Sequence, residues 1–175
     1  TAEACPHHFM LTDEAVRRSG PNAKMNPPLR GERDRVAVIE GLADGTIDAI
    51  ATDHAPHAEY EKQWGMDRAP FGIVGLETAL ALTLQLVERG ALSLDRAVQC
   101  LTSKPAGLLG LPGGTLAAGA PADVVVMDRA HEWVVDPEQF HSKGRNTPFA
   151  GWHLRGRVVM TIVGGRVVYQ RPVEA

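Results

Sequence analysis

The sequence is poor in the features that would mark several common protein classes. Cys5 and Cys100 are its only cysteines and form no CxxC pair, which favours a reducing, cytoplasmic location over a disulfide scaffold. Lysine and arginine form no block and the net charge is −3, so nucleic-acid binding is not expected. The longest apolar stretch, "IVGLETALALTLQLV", contains polar residues and falls short of the about 20 apolar residues of a membrane span.

What is present is a globular composition, with 44% hydrophobic and 22% charged residues, and a pattern that changes once. As far as Leu111, helix-like and strand-like segments alternate: "ERDRVAVIEGLADG" predicts a helix stopped by Gly45, "TIDAIAT" a short buried strand, and "GIVGLETALALTLQLVERG" a buried helix. Beyond Pro112 the period becomes two, and "TIVGGRVVY" predicts a hairpin. We therefore predict an α/β part at residues 1–111 and a β-rich module at 112–175.

The stretch "ATDHAPH" follows the predicted strand directly and contains Asp53, His54 and His57. In α/β barrels, chemistry collects at the carboxyl ends of the strands and in the loops that follow. A carboxylate there can bind a cation such as Zn²⁺, and a nearby imidazole can reach the metal or a substrate anion. The alternative is that Asp53 caps the next turn and the histidines are ordinary polar loop residues.

Two further clusters lie at comparable positions. "TAEACPHHF" places Glu3, His7 and His8 after what looks like the stub of a strand, and "AKMNPPLR" places Asn26 and Arg30 around a rigid proline pair. Adjacent prolines fix a loop, which suits holding an amide or guanidinium toward a ligand. Each cluster alone also has a structural explanation, as packed, solvated or turn-forming residues.

These motifs together give the sequence a resemblance to a known family. "TAEACPHH", "KMNPPLR", "ATDHAPH" followed by Lys62, "PFGIVGLET", "KPAGLLGL", "GTLAAGAPADVVVMD" and "NTPFAG" occur in order across essentially the whole chain. The sequence resembles the cyclic amidohydrolases, and within them the class I dihydroorotases with a binuclear zinc site. The second histidine of "DHAPH" is the dihydroorotase form of this loop, which hydantoinases and allantoinases usually replace.

The resemblance implies the C-terminal part of a (β/α)8 TIM-type barrel, namely the last two strands and their helices, with part of a small β-rich accessory module. The remaining metal ligands of the family lie upstream in its pattern, and no HxHxR motif occurs in the 175 residues. We therefore interpret the sequence as a fragment and predict that this fragment alone is inactive.

The implied reaction is the reversible hydrolysis of dihydroorotate to N-carbamoyl-L-aspartate in pyrimidine (UMP) biosynthesis, with two zinc ions. By the same resemblance, Asp53 is a metal ligand and the catalytic proton carrier. Asn26 and His57 would hold the substrate carboxylate, while Phe71 and Gly72 would offer backbone groups to the ring amide.

The resemblance leaves several residues and partners open. Roles are not assigned to Glu3, His7, His8, His54 and Arg30. Structural roles are expected for the tail residues His131, His141 and His153, and Glu77 is expected to be a buried hydrogen-bonding acid. Two alternatives stay in view, a related cyclic amidohydrolase (an allantoinase or hydantoinase) and a non-catalytic dihydroorotase-like scaffold for aspartate carbamoyltransferase. Homo-oligomers are possible, and neither nucleic acid nor membrane is expected as a partner.

Overall fold

The computed structural model describes residues 1–172. Its first part alternates short strands and helices along the chain. The strands are β1 (Glu3–Ala4) and β2 (Ala49–Ile50), and the helices are α1 (Pro6–Met10), α2 (Glu14–Ser19), α3 (Glu32–Asp44), α4 (Glu59–Lys62), α5 (Gly65–Arg68), α6 (Ala79–Glu88), α7 (Leu94–Leu101) and α8 (Ser103–Leu109). No helix within residues 1–172 has the length and apolar character needed to cross a membrane.

Parallel pairing joins three successive segments of this part. Strand β1 pairs in parallel with β2, Glu3 opposite Ala49, and a parallel bridge joins His54 to Ile73. Parallel neighbours connected by helices are the βαβ arrangement, which confirms the predicted α/β class. Strands β1 and β2 form the parallel sheet, and the bridge at Ile73 adds a pairing that the sequence did not predict.

Helix α3 ends where the sequence predicted. Gly45 is its C-cap in the left-handed conformation, with φ of 91°, which glycine adopts without steric cost. Helix α6 begins later than predicted, at Ala79 rather than near Gly72. Ile73 is instead extended and paired with His54, so the apolar run combines a strand-like segment with a helix.

The second part is an antiparallel sheet in the order β3-β4-β5. Its strands are β3 (Val124–Val134), β4 (His153–Val163) and β5 (Arg166–Gln170). Gly164 and Gly165 both have positive φ, which confirms the predicted hairpin turn. The period of two that begins beyond Pro112 predicts strand structure over residues 113–123 as well, but this stretch forms no strand.

The two parts pack against each other through α6 and β4. A Cβ added at Gly156 of β4 would lie 2.3 Å from the Leu84 side chain of α6. Leu154 of β4 and Leu82 of α6 belong to the same buried cluster. Packing is therefore continuous across the predicted boundary at residue 111, and the division into two domains stays a prediction.

Candidate active site

Asp53 lies just beyond the carboxyl end of β2 in a strained backbone conformation. Its φ is 47°, and among the described residues it alone has a positive φ without being glycine. Such outliers concentrate at functional sites. The side chain is exposed and lies close to Cys5. Burial, reinforced by the charges of Asp53 and Glu3, raises the pKa of the Cys5 thiol to about 12. The thiol is therefore protonated at neutral pH, while the carboxylate is an available oxygen donor.

His54 has a structural partner on each ring nitrogen. Nδ1 accepts a hydrogen bond from the Gly75 amide at 3.1 Å, so in the neutral ring Nε2 carries the proton. Nε2 lies 3.4 Å from the Ser142 hydroxyl oxygen and can donate to it. His54 thus joins the β2 loop to the start of the α6 segment and to the chain before β4, which gives a role to a residue left open by the sequence.

His57 is oriented against the loop that contains Phe71. Its Nε2 lies 2.9 Å from the Phe71 carbonyl oxygen, so Nε2 donates to that oxygen. Its Nδ1 lies 4.0 Å from a Glu61 carboxylate oxygen. Two of the predicted substrate-binding residues, His57 and Phe71, are therefore brought together.

Gly72 already uses both of its backbone polar groups within the protein. Its amide donates to the Lys24 carbonyl at 2.8 Å, and its carbonyl accepts from Lys62 at 2.8 Å and Asn146 at 3.2 Å. A Cβ at position 72 would lie 2.6 Å from that of Ala55, and φ is +97°. Close packing therefore requires glycine here, and the expected ring contact of Gly72 would need an exchange of partners.

The "KMNPPLR" loop borders the same region. Lys24 donates to the Ala69 carbonyl at 2.7 Å and lies 4.4 Å from the centroid of the Phe71 ring, a cation–π contact. Asn26 and Arg30 are exposed, and the Arg30 guanidinium is 4.0 Å from Asp34. Asn26 is thus on the loop next to the Phe71 segment, whereas the ion pair directs Arg30 toward α3.

Helix α1 and its N-cap residue Cys5 hold a second group of potential ligands. The side-chain ligand atoms of Cys5, His7 and His8 lie within 4.8 Å of one another. Within residues 1–172, no other group of three or more potential metal ligands lies this close together. Burial, with His8 nearby, lowers the pKa of His7 to about 3, and His8 Nε2 is 2.9 Å from the Pro27 carbonyl. Asp53 does not belong to this cluster. Its role as a metal ligand therefore stays a prediction.

Two buried polar residues were missed as parts of the site. The Lys62 ammonium donates to the carbonyls of Pro21, Pro70 and Gly72 at 2.8–3.0 Å, and Asn146 reaches the same loop from the chain before β4. The sequence indicates Lys62 only as the lysine that follows "DHAPH" and Asn146 only as a member of "NTPFAG". No local pattern predicts their contacts.

The residues expected to be structural lie mostly in the β-rich module. His131 is on β3 and His153 on β4, while His141 makes an edge contact with Tyr169. Glu77 accepts a hydrogen bond from the Ser142 amide at 2.9 Å. Glu77 is thus a hydrogen-bonding acid as expected, but it is partly rather than fully buried, and its support of the site stays a prediction.

Comparison with known proteins decides the family. Residues 5–168 match the Amidohydrolase family. The chain belongs to this family. A dihydroorotase from Syntrophotalea carbinolica is 57% identical over 170 residues, which cover 97% of this chain and 40% of the relative. A dihydroorotase from a Geobacillus species is 56% identical over 175 residues, covering 99% of this chain and 41% of the relative.

Solved structures of hydantoinases have the same fold. An L-hydantoinase (dihydropyrimidinase) from Arthrobacter aurescens superposes with a TM-score of 0.91 at 36% identity, over 96% of this chain and 39% of that one. A D-hydantoinase from a Thermus species gives a TM-score of 0.88 at 30% identity over the same shares. The chain therefore spans about 40% of the length of the curated relatives it matches.

Proposed function

We propose that the complete protein containing this chain is a dihydroorotase. It would hydrolyse dihydroorotate reversibly to N-carbamoyl-L-aspartate, a step of de novo pyrimidine synthesis. The observation that carries this proposal is identity of 53–57% to proteins named dihydroorotase over at least 97% of the chain. The hydantoinase structures are less similar in sequence, at 36% or below, which favours dihydroorotase over another cyclic amidohydrolase.

The donor chemistry of Asp53 fits the zinc that this function implies. Its carboxylate is exposed beyond a strand end, and carboxylate oxygen is an accepted zinc ligand. Zinc, when bound, would supply Lewis-acid polarisation of the scissile amide. We propose two zinc ions, with the other ligands outside this chain.

Asp53 is proposed to move the proton that ring opening requires. Hydrolysis takes a proton from the attacking water and delivers one to the departing amide nitrogen. A carboxylate fixed at a strand end can accept the first proton as general base and return it as general acid. Burial, and then the charges of Asp53 and Glu3, raise the pKa of the Cys5 thiol to about 12, so no thiolate competes with Asp53 for the proton at neutral pH.

Substrate binding is assigned to the loops around Phe71. The His57 imidazole, when protonated, would donate from Nδ1 to the substrate carboxylate, since Nε2 already donates to Phe71. Asn26 is proposed as a second donor to the carboxylate. The Phe71–Gly72 backbone is proposed as the contact for the ring amide, and at Gly72 this contact requires an exchange of the present hydrogen-bond partners.

A substrate panel tests the function directly. The purified complete protein should hydrolyse dihydroorotate with a higher kcat/KM than hydantoin, dihydrouracil or allantoin, measured by loss of ring absorbance and by product chromatography. A preference for an uncharged ring would identify a related cyclic amidohydrolase instead. Absence of hydrolysis with all four, together with binding of a carbamoyltransferase, would identify the scaffold alternative.

His57→Ala should weaken use of dihydroorotate while sparing zinc. We expect KM for dihydroorotate to rise by about tenfold or more, the cost of one lost charge-assisted hydrogen bond of about 1.5–3 kcal/mol. Hydrolysis of an uncharged cyclic amide should change much less. Steady-state kinetics on both substrates, with zinc analysis, makes the measurement.

His131→Ala is the matched control, because that histidine lies on β3 of the β-rich module. It should leave both KM values unchanged. Equal losses for the charged and uncharged substrates in His57→Ala would return His57 to a structural role.

A further inference from the structure

A buried amide from the chain before β4 holds the loop that contains His57. Asn146 is 4% exposed, and its Oδ1 accepts the His57 backbone amide at 3.0 Å. Its Nδ2 donates to the Ala55 carbonyl at 2.9 Å and to the Gly72 carbonyl at 3.2 Å. One side chain therefore fixes the backbone on both sides of the contact between His57 and Phe71.

Lys62 holds the same loop from its other side. Its side chain is 6% exposed and donates to Pro70 and Gly72 at 2.8 Å and to Pro21 at 3.0 Å. Burial of a charge costs free energy unless the charge is hydrogen-bonded. Here three carbonyl oxygens, rather than a carboxylate, satisfy the buried ammonium. The Gly72 carbonyl is the acceptor that Lys62 and Asn146 share.

The approach of the Asn146 segment is close enough to require a glycine beside it. A Cβ at Gly144 would lie 2.8 Å from the Pro56 Cβ and 2.8 Å from Asn146 Oδ1. The Asn146 carbonyl also accepts the Val74 amide at 3.0 Å. The segment 144–146 is thus packed directly on the loop between β2 and α4 and on the extended segment after Gly72.

We propose that Asn146 is a positioning residue which, together with Lys62, sets the place of His57 and Phe71 for the substrate. This inference rests on the proposed function, because it concerns the binding of the dihydroorotate carboxylate. Asn146 acts through the backbone of His57 and Gly72, so it affects affinity without touching the substrate. The affinity of the His57 loop for the substrate would then also depend on segment 144–146, which leads into β4 of the β-rich module.

Asn146→Asp separates the two halves of this arrangement in the complete protein. Aspartate keeps the acceptor for the His57 amide but replaces the donor with a charged oxygen facing two carbonyls. We expect KM for dihydroorotate to rise by about tenfold to a hundredfold, as when a binding group is displaced by about an ångström. The kcat and zinc content should change by less than about threefold, since the Asn146 side chain is hydrogen-bonded to His57, Ala55 and Gly72 and not to Asp53.

Lys62→Met provides an independent variant and Gln63→Ala the matched control. Methionine keeps much of the lysine stem but leaves three carbonyls without their donor, so it should raise KM in the same way. Gln63 is exposed on the same loop and its replacement should leave KM unchanged. An uncharged cyclic amide, measured in parallel, should be affected less than dihydroorotate in both test variants.

Hydrogen exchange of peptides spanning residues 52–76 gives a readout that does not need activity. Exchange should increase there in Asn146→Asp and Lys62→Met, and stay unchanged in Gln63→Ala. Wild-type protein without dihydroorotase activity would overturn the proposed function, while the exchange result would still decide the positioning. Active variants with unchanged KM, or variants that all fail to fold, would overturn the positioning role.

Discussion

Replacing Asp53 with asparagine should reduce turnover of dihydroorotate by the complete protein about 10²–10⁴-fold, the usual cost of losing a general acid-base group. Asparagine cannot accept the proton of the attacking water or return it to the leaving nitrogen. The substitution should also weaken zinc binding, since an amide oxygen is a poorer zinc ligand than a carboxylate. Measurements of kcat and zinc content on the purified variant give both effects.

The backbone at this position makes asparagine the informative substitution. Asp53 has a φ of 47°, and asparagine and aspartate tolerate this region better than other non-glycine residues. The fold should therefore be kept, whereas alanine would add backbone strain. Asp67→Asn, an exposed carboxylate on α5, is the control and should leave turnover unchanged. Near-normal turnover with normal zinc in Asp53→Asn would contradict the assigned role.

Local patterns predicted the elements whose causes are local. The Gly45 stop of α3 and the Gly164–Gly165 turn depend on the conformational freedom of glycine, which the sequence shows directly. The start of α6 was placed too early because Ile73 is apolar and fits a buried helix as well as a buried strand. Its strand-like pairing with His54 is a tertiary contact, and no short window contains it.

The site shows the same limit more strongly. Asp53 could be proposed from its place after an apolar strand, and the His57 assignment needed the family resemblance. The hydrogen bond from the His57 amide to Asn146 joins residues 89 positions apart. Only the packing of the chain before β4 on the β2 loop creates that contact, so local sequence analysis could not predict it. The occupied backbone groups of Gly72 were hidden for the same reason, because their partners are Lys24, Lys62 and Asn146.

The isolated polypeptide of residues 1–175 should show no dihydroorotate hydrolysis and should not bind a pair of zinc ions. A catalytic zinc usually needs three protein ligands, and the ligand cluster found in residues 1–172 is Cys5, His7 and His8, which does not include Asp53. His54 cannot complete the site without losing its bond to the Gly75 amide. The positions that would hold the metal are therefore incomplete in this polypeptide.

The isolated polypeptide should also associate in solution, because its sheet edges are unpaired and apolar side chains are exposed. Strands β1 and β2 form a sheet of two strands within residues 1–172, whereas barrel closure requires neighbours on both edges. Val125, Val126, Val167 and Val168 of the β-rich module are also exposed, and unpaired edges with exposed apolar side chains promote association.

Metal analysis, a turnover assay and light scattering on the purified polypeptide test these expectations together. The complete protein, assayed in parallel, is the positive control. A single zinc ion that is lost in Cys5→Ser would belong to the cluster on α1 and would leave the prediction standing. Two tightly bound zinc ions per chain, or measurable hydrolysis of dihydroorotate, would mean that residues 1–175 contain more of the metal site than Asp53.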